Sequence, residues 1–181
     1  MARLTKIYTR SGDDGTTSLA NGNRIRKDSA RINALGDIDE LNSILGLLRT
    51  HTVDDDEIDT ALYVIQNRLF NIGGELAIPD QKTTEEKWVT TLETWLDKYN
   101  EDLPKLEEFI LPGGNIPAAN CHIARSVCRR TERSMLELSE SEFVNPLTLK
   151  YLNRLSDFLF VIARILARKN NGKEVLWDRS I

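Results

Sequence analysis

The sequence predicts a single all-α domain, an antiparallel five-helix bundle preceded by an ordered glycine-containing loop. Three observations carry that expectation. Five segments repeat apolar residues three or four positions apart. Residues that start or stop helices bracket most of these segments. The stretches between them are short, which makes successive helices antiparallel neighbours. A chain of 181 residues suits one domain with a sizeable core. The expected division is residues 1–28 as the loop, 29–170 as the bundle and 171–181 as a C-terminal tail.

The elements follow in order. Residues 1–30 hold Gly12, Gly15 and Gly22 among Thr, Ser, Asn and Asp, and read as a loop with a short strand at Lys6–Thr9. The first helix runs from about Ser29 to Arg49 on Ile32, Leu35, Ile38, Leu41, Leu45 and Leu48. The second has the cleanest stripe, Ile58, Leu62, Ile65, Leu69, Ile72 and Leu76, and Pro79 stops it. A third starts at the capping-box pattern Thr83-x-x-Glu86 and carries Val89, Leu92, Leu96 and Tyr99. After Pro104, the turn Phe109-Ile110-Leu111-Pro112-Gly113-Gly114 leads to a fourth helix with Pro117 in its first turn, ending near Leu138. The fifth starts at Pro146, carries Leu149, Leu152, Leu155, Leu159, Ile162 and Leu166, and ends at Asn170-Asn171-Gly172.

Composition excludes several classes. The 24 basic and 28 acidic side chains give a formal charge of -4, without the broad basic footprint of a nucleic-acid binder. The most apolar stretch, Phe158–Ala167, is short and contains Arg164, so no membrane span is expected. Met1–Lys6 lacks the apolar run of a signal peptide, and the expected location is the cytoplasm. On one helix Cys121 and Cys128 lie about 10 Å apart, too far for a disulfide, and read as reduced core thiols.

Any anionic ligand must therefore meet a local cluster of positive charge. The segment Thr9-Arg10-Ser11-Gly12-Asp13-Asp14-Gly15-Thr16-Thr17-Ser18 is one candidate. Its glycines let backbone N–H groups converge on an anion, its hydroxyls add donors, and Lys6, Arg10 and Lys27 add charge. No Gly-Lys-Ser/Thr follows, so this is not a Walker A loop. A surface turn with glycines at positive φ would look the same. The second candidate is Arg125-Ser126-Val127-Cys128-Arg129-Arg130-Thr131-Glu132-Arg133. On a helix Arg125, Arg129 and Glu132 share one face, while Arg130 and Arg133 form an adjacent row. Guanidinium groups suit phosphate oxygens, and Glu132 could order an arginine or hold magnesium through water. A solvated face with intrahelical ion pairs is the alternative.

Polar residues also interrupt the apolar stripes. Gly36-Asp37-Ile38-Asp39-Glu40-Leu41-Asn42 puts acids inside the first helix, so Asp39 or Glu40 should meet a cation. Arg125 is a candidate, within the subunit or across an interface. Asn153, in Asn153-Arg154-Leu155-Ser156-Asp157, could read a ribose or base edge or make a local contact. His51 and His122 stand in no Glu-x-x-His pattern, which argues against a di-iron bundle.

Together these segments resemble the ATP:cob(I)alamin adenosyltransferases of the propanediol-utilisation type, from about residue 4 to 177. The likeness rests on five motifs in order: Lys6–Gly15, Gly36–Asn42, Phe109–Gly114, Arg129–Arg133 and Asn153–Asp157. The resemblance implies a homotrimer with ATP, accompanied by Mg²⁺, bound at subunit interfaces. It implies ATP contacts at Lys6, Thr9, Arg10, Ser11, Gly12, Asp13, Gly15, Thr17, Ser18, Lys27, Arg129, Arg130, Glu132, Arg133 and Asn153. It further implies an intersubunit salt bridge between Asp39 and Arg125, and an aromatic wall beside the corrin at Phe109. Asp14 stands where many relatives have a basic residue, and either weakens phosphate binding slightly or faces solvent. Asp37 adds a second acid beside Asp39, and register with the family favours Asp39 for the bridge.

The reaction implied transfers the 5′-deoxyadenosyl group of ATP to Co(I) of cob(I)alamin and releases triphosphate. A flavoprotein reductase and an adenosylcobalamin-dependent enzyme are the protein partners it suggests. The alternative is a non-catalytic carrier or sensor of ATP and adenosylcobalamin using the same residues.

Overall fold

A computed structural model describes residues 7–181. Two short strands, β1 (Thr16–Ser18) and β2 (Arg24–Arg26), precede five helices: α1 (Ala30–Arg49), α2 (Asp56–Ala77), α3 (Glu86–Glu101), α4 (Ile116–Ser139) and α5 (Pro146–Arg168). A 3₁₀ turn, Lys169–Asn171, follows α5.

Four of the five helices start on a side-chain cap. Ser29, Asp55, Asn115 and Asn145 each accept a hydrogen bond from a first-turn amide, and Pro117 and Pro146 occupy first-turn positions where no N–H is needed. The expected capping box at α3 is not formed. Glu85 occupies the cap without a side-chain bond, because Thr83 and Thr84 direct their amides to the Glu75 carboxylate at the end of α2. That carboxylate also accepts from the Thr148 hydroxyl at 2.8 Å and from Asn145. A long-range acceptor thus outcompetes a local one, and ties α2, the α2–α3 connection and the start of α5 together. At the other end of α5, Asn170 and Asn171 take φ of 53° and 61°. A Cβ on Gly172 would lie 2.2 Å from the Ala167 carbonyl oxygen, so glycine is required there.

The helices lie in the spatial order α2, α1, α4, α5, α3. The α1·α2, α1·α4 and α4·α5 pairs are antiparallel, whereas α3 and α5 run parallel: Trp88 packs on Tyr151 and, two turns on, Trp95 packs on Phe158. All six stripe residues of α2 are buried, as are Ile38, Leu41, Leu45 and Leu48 of α1; Ile32 and Leu35 are half-buried. Cys121 and Cys128 are free and buried, and their thiols donate to the carbonyls of Leu159 and Leu152 on α5. Burial pushes both thiols well above the usual range, so they are packing groups. Among the described residues no helix is long and apolar enough to cross a membrane.

The expected strand at Lys6–Thr9 is not found: Lys6 lies outside the described residues, and Ile7–Thr9 form no strand. The strands sit instead on either side of Asn21-Gly22, with Thr17 opposite Ile25. Gly22, at φ 87°, takes the left-handed conformation this hairpin turn requires.

Candidate active site

The N-terminal loop is built around a side chain that sequence reasoning did not single out. Arg24, on β2, donates to the Ser11 carbonyl, to Asp14 Oδ1 at 3.1 Å and to the Thr16 hydroxyl. Asp14 also accepts from the Thr16 amide at 3.0 Å and the Thr16 hydroxyl at 2.7 Å. These bonds from Thr16 hold the Asp14 carboxyl below its usual range, helped by Arg24. Asp14 is therefore a brace of the loop. The signal for Arg24 was its place opposite Thr16–Ser18 across the Asn-Gly turn.

The same loop carries Thr9 and Ser11, whose hydroxyls bond at 2.7 Å, and Arg10 at φ 61° with its guanidinium over the Tyr8 ring. Lys27 donates its amide to the Gly15 carbonyl and extends its ammonium over Gly12; a Cβ there would lie 3.0 Å from Nζ. Gly12, Gly15 and Lys27 are thus brought together. Thr17, Ser18, Lys27 and Asp39 line one cavity of about 440 Å³, floored by Ile32, Leu35 and Ala77. Lys6 lies outside the described residues.

On α4 the arginines separate by helical phase. Arg130 bonds Asp37 at 3.1 Å and also pairs with Glu40, and Ser134 donates to Asp37. This face locks α4 to α1. Arg125 and Arg129 point the other way, into a cavity of about 310 Å³ with Ser156, Asp157 and Arg164 of α5. Among the described residues no ion pair involves either of them. Arg125 stacks over Phe160 at 6.0 Å, and its Nε is buried with no acceptor. Arg133 donates to the Arg129 carbonyl and is exposed, and it lies with half-buried Arg130 beside Pro112 and His122. Burial, and then Arg125, depress the His122 pKa, so this is a neutral core imidazole.

Glu132 accepts from Asn153 Nδ2 at 3.1 Å, and Asn153 Oδ1 accepts from Arg154, which pairs with Glu93. A polar chain therefore runs from α4 through α5 to α3, and Glu132 orders an amide rather than an arginine. Among the described residues, no group of three or more His, Cys, Asp or Glu side chains could hold a metal ion.

Asp37 and Asp39 differ by two residues and so by about 200° around α1. Asp37 faces α4; Asp39 is exposed on the loop side. Phe109 lines a third cavity, about 520 Å³, with Leu106, Ile110, Arg125 and Phe160. It adjoins the arginine cavity through the shared Arg125, Leu106 and Phe160. The structure thus brings Phe109, Arg125 and Arg129 together, and separately Thr17, Ser18, Lys27 and Asp39. It does not join the two groups.

The model of the family "Cobalamin adenosyltransferase" matches residues 7–166 of this sequence. The chain belongs to that family. It is 52% identical over 177 residues to a cobalamin adenosyltransferase of Cupriavidus metallidurans, covering 98% of this chain and 96% of the relative. It is 43% identical to the corrinoid adenosyltransferase of Bacillus subtilis, covering 97% and 93%. Among solved structures it resembles a phenylalanine-to-alanine variant of the PduO-type ATP:corrinoid adenosyltransferase from Lactobacillus reuteri, complexed with cobalamin and ATP. The TM-score there is 0.88 at 33% identity, over 96% of this chain and all of that one.

In this adenosyltransferase chain the C-terminal segment is the second feature the sequence concealed. It shows no periodicity, yet Leu176 bridges Ile110, with Leu111 N donating to Val175 O and Trp177 N to Phe109 O, both at 2.7 Å. The Phe109 and Trp177 rings meet edge to face at 6.0 Å.

Proposed function

We propose that this adenosyltransferase chain transfers the 5′-deoxyadenosyl group of ATP to Co(I) of cob(I)alamin. The Co–C5′ bond forms as the C5′–O bond breaks, and the triphosphate leaves with the electron pair. Homologues named corrinoid adenosyltransferases, and the Lactobacillus reuteri protein complexed with cobalamin and ATP, support that chemistry. The protein then needs no nucleophile of its own. Its work is to neutralise a departing triphosphate and to place C5′ over cobalt.

The observation that carries the reading is the division of the site. Loop residues and Asp39 line one cavity, Arg125 and Arg129 another, and the two share no lining residue. Since the Asp37–Arg130 face holds α1 against α4, Asp39 and Arg125 of one subunit point away from each other. Two copies complete one site if the loop of one meets the arginines of the next, with Asp39 and Arg125 pairing across the junction. A closed ring satisfies every such head-to-tail contact, which fits a homotrimer. Exposed Ile116 and Ile123, two turns apart on α4, supply apolar surface for it.

In this arrangement Thr9, Arg10, Ser11, Gly12, Gly15, Thr17, Ser18 and Lys27 hold the triphosphate from one side, with Asp13 in the turn that shapes the loop, and Arg129 and Arg133 from the other. Arg130 acts through the α1–α4 junction, and Asn153, held by Glu132 and Arg154, presents an ordered amide to the nucleoside. Mg²⁺ would accompany the triphosphate and neutralise part of its charge, and Glu132, the carboxylate of that helix face, would hold it through water. Phe109 stands at the mouth of the cavity that adjoins Arg125, where its ring excludes water and the lower ligand of the corrinoid. Co(II) that loses its axial ligands is more easily reduced.

An anaerobic assay tests the reaction class. Protein, MgATP and cob(I)alamin should yield adenosylcobalamin and triphosphate in equal amounts. Formation of ADP or pyrophosphate would refute it, and binding without turnover would favour a carrier.

A further inference from the structure

Phe109 is 72% exposed, so burial does not hold its side chain in place. An exposed aromatic group can form one fixed wall only if its backbone is fixed, because ordering it otherwise costs conformational entropy with little in return. The backbone of Phe109–Leu111 is fixed by the two hydrogen bonds to Val175–Trp177. A bridge of two bonds is marginal by itself. Something must hold the partner segment.

That anchor is Glu174. Its side chain is 7% exposed and accepts from Arg164 Nε at 2.5 Å and from Arg168 Nη1 at 2.7 Å, both on α5. Arg164 is itself buried, and its Nη2 donates to the Pro104 carbonyl at 2.7 Å. One guanidinium thus grips the start of the Phe109 loop and, through Glu174, the segment that pairs with it. Gly113 and Gly114 permit the approach: at Gly114, φ 104°, a Cβ would sit 3.2 Å from Ala167 Cβ and 3.4 Å from the Lys173 carbonyl oxygen. Beyond the bridge, Arg179 pairs with Glu108 at 2.7 Å and stacks on Trp177. Glu108 also accepts from the Phe109 amide.

We infer that Glu174 is a positioning residue for Phe109: its pairing with Arg164 and Arg168 holds the Val175–Trp177 segment against Phe109–Leu111 and so sets where the aromatic wall stands. The inference rests on the role given to Phe109 above. Glu174 is held against α5 and acts through the paired segment.

Hydrogen exchange and turnover on the full chain test it, using Glu174→Gln, Arg168→Ala and Phe109→Ala. In Glu174→Gln the amides of Leu111 and Trp177 should exchange at least about tenfold faster, while core amides of α4 keep their protection. Reaction starting from cob(II)alamin with a reductant should fall by a larger factor than reaction with prepared cob(I)alamin, the same split expected of Phe109→Ala. Arg168→Ala removes an exposed arm of the clamp and should shift both readouts less, in the same direction. It also keeps the test decisive if Glu174→Gln fails to fold. Unchanged exchange at both amides in the folded variants would overturn the inference. So would faster exchange with an unaltered Co(II)/Co(I) ratio, when Phe109→Ala shows the split. If Phe109→Ala slows both reactions equally, the role of Phe109 falls, and exchange at the two amides alone decides whether Glu174 positions the segment.

Discussion

Glu75 and Arg125 are both charged side chains drawn back from water, one at the foot of the bundle and one at its middle, and their surroundings differ. The Glu75 carboxylate meets two backbone amides, two hydroxyls and an amide side chain, all from its own chain. The Arg125 guanidinium meets an aromatic ring and leaves Nε without an acceptor. A charge drawn back from water without partners is costly, so the first arrangement is complete and the second is left open. Satisfied charges here mark where the fold is joined; unsatisfied ones line the proposed site.

The largest effect should come from the open region. Arg129→Ala should lower turnover by about 10²–10³-fold, the scale of removing one donor from a developing anion, with the helical circular dichroism unchanged. Turnover like wild type would remove Arg129 from the site. Next, Arg125→Ala and Asp39→Ala should each cost about 10- to 100-fold in activity or weaken the proposed trimer on sedimentation. Their double variant should lose little more than either alone. Fully additive losses would separate the two residues and break the idea that Arg125 is completed by a neighbouring subunit.

The closed region should respond in stability rather than rate. Glu75→Gln should lower unfolding free energy by about 1–3 kcal/mol while the folded fraction keeps its activity. Burial raises the Glu75 pKa, but the amides of Thr84 and Thr83 and the Thr148 hydroxyl outweigh it and leave the net value lowered. A carboxyl lowered in the folded state contributes stability above its unfolded pKa, and that contribution is lost as pH falls through the folded one. Denaturant titrations should therefore show the gap between wild type and Glu75→Gln closing in acid, below the ordinary carboxylate range. A gap independent of pH would assign the effect to packing. The smallest change is expected at Asp14, exposed in the loop: Asp14→Ala should raise KM for ATP a few-fold and leave kcat nearly unchanged. A kcat loss as deep as that of Arg129→Ala would make Asp14 more than a brace.

The same contrast explains what could be read from sequence. The α2 stripe, Ser29 at the start of the first helix, and Pro117 and Pro146 in the first turns of the fourth and fifth are local patterns, and the helices form where those patterns place them. Helical phase also told Arg129 from Arg130, since neighbours in sequence lie about 100° apart around the axis. Thr83-x-x-Glu86 misled because its amides find Glu75, which no local rule can see. The hairpin has a local signal in Asn21-Gly22, which the other loop glycines mask. Nothing local announces the pairing of Leu176 with Ile110, which depends on α4 and α5 folding back between them.

That pairing sets an order of events during synthesis. The Phe109–Leu111 segment emerges from the ribosome with apolar side chains and an unpaired strand edge, and its partner strand is not made until α4 and α5 have followed. The helical core can condense on local contacts well before then. The Phe109 side of the molecule consequently becomes native after the helical core, and until it does the nascent protein carries an exposed edge open to wrong pairing.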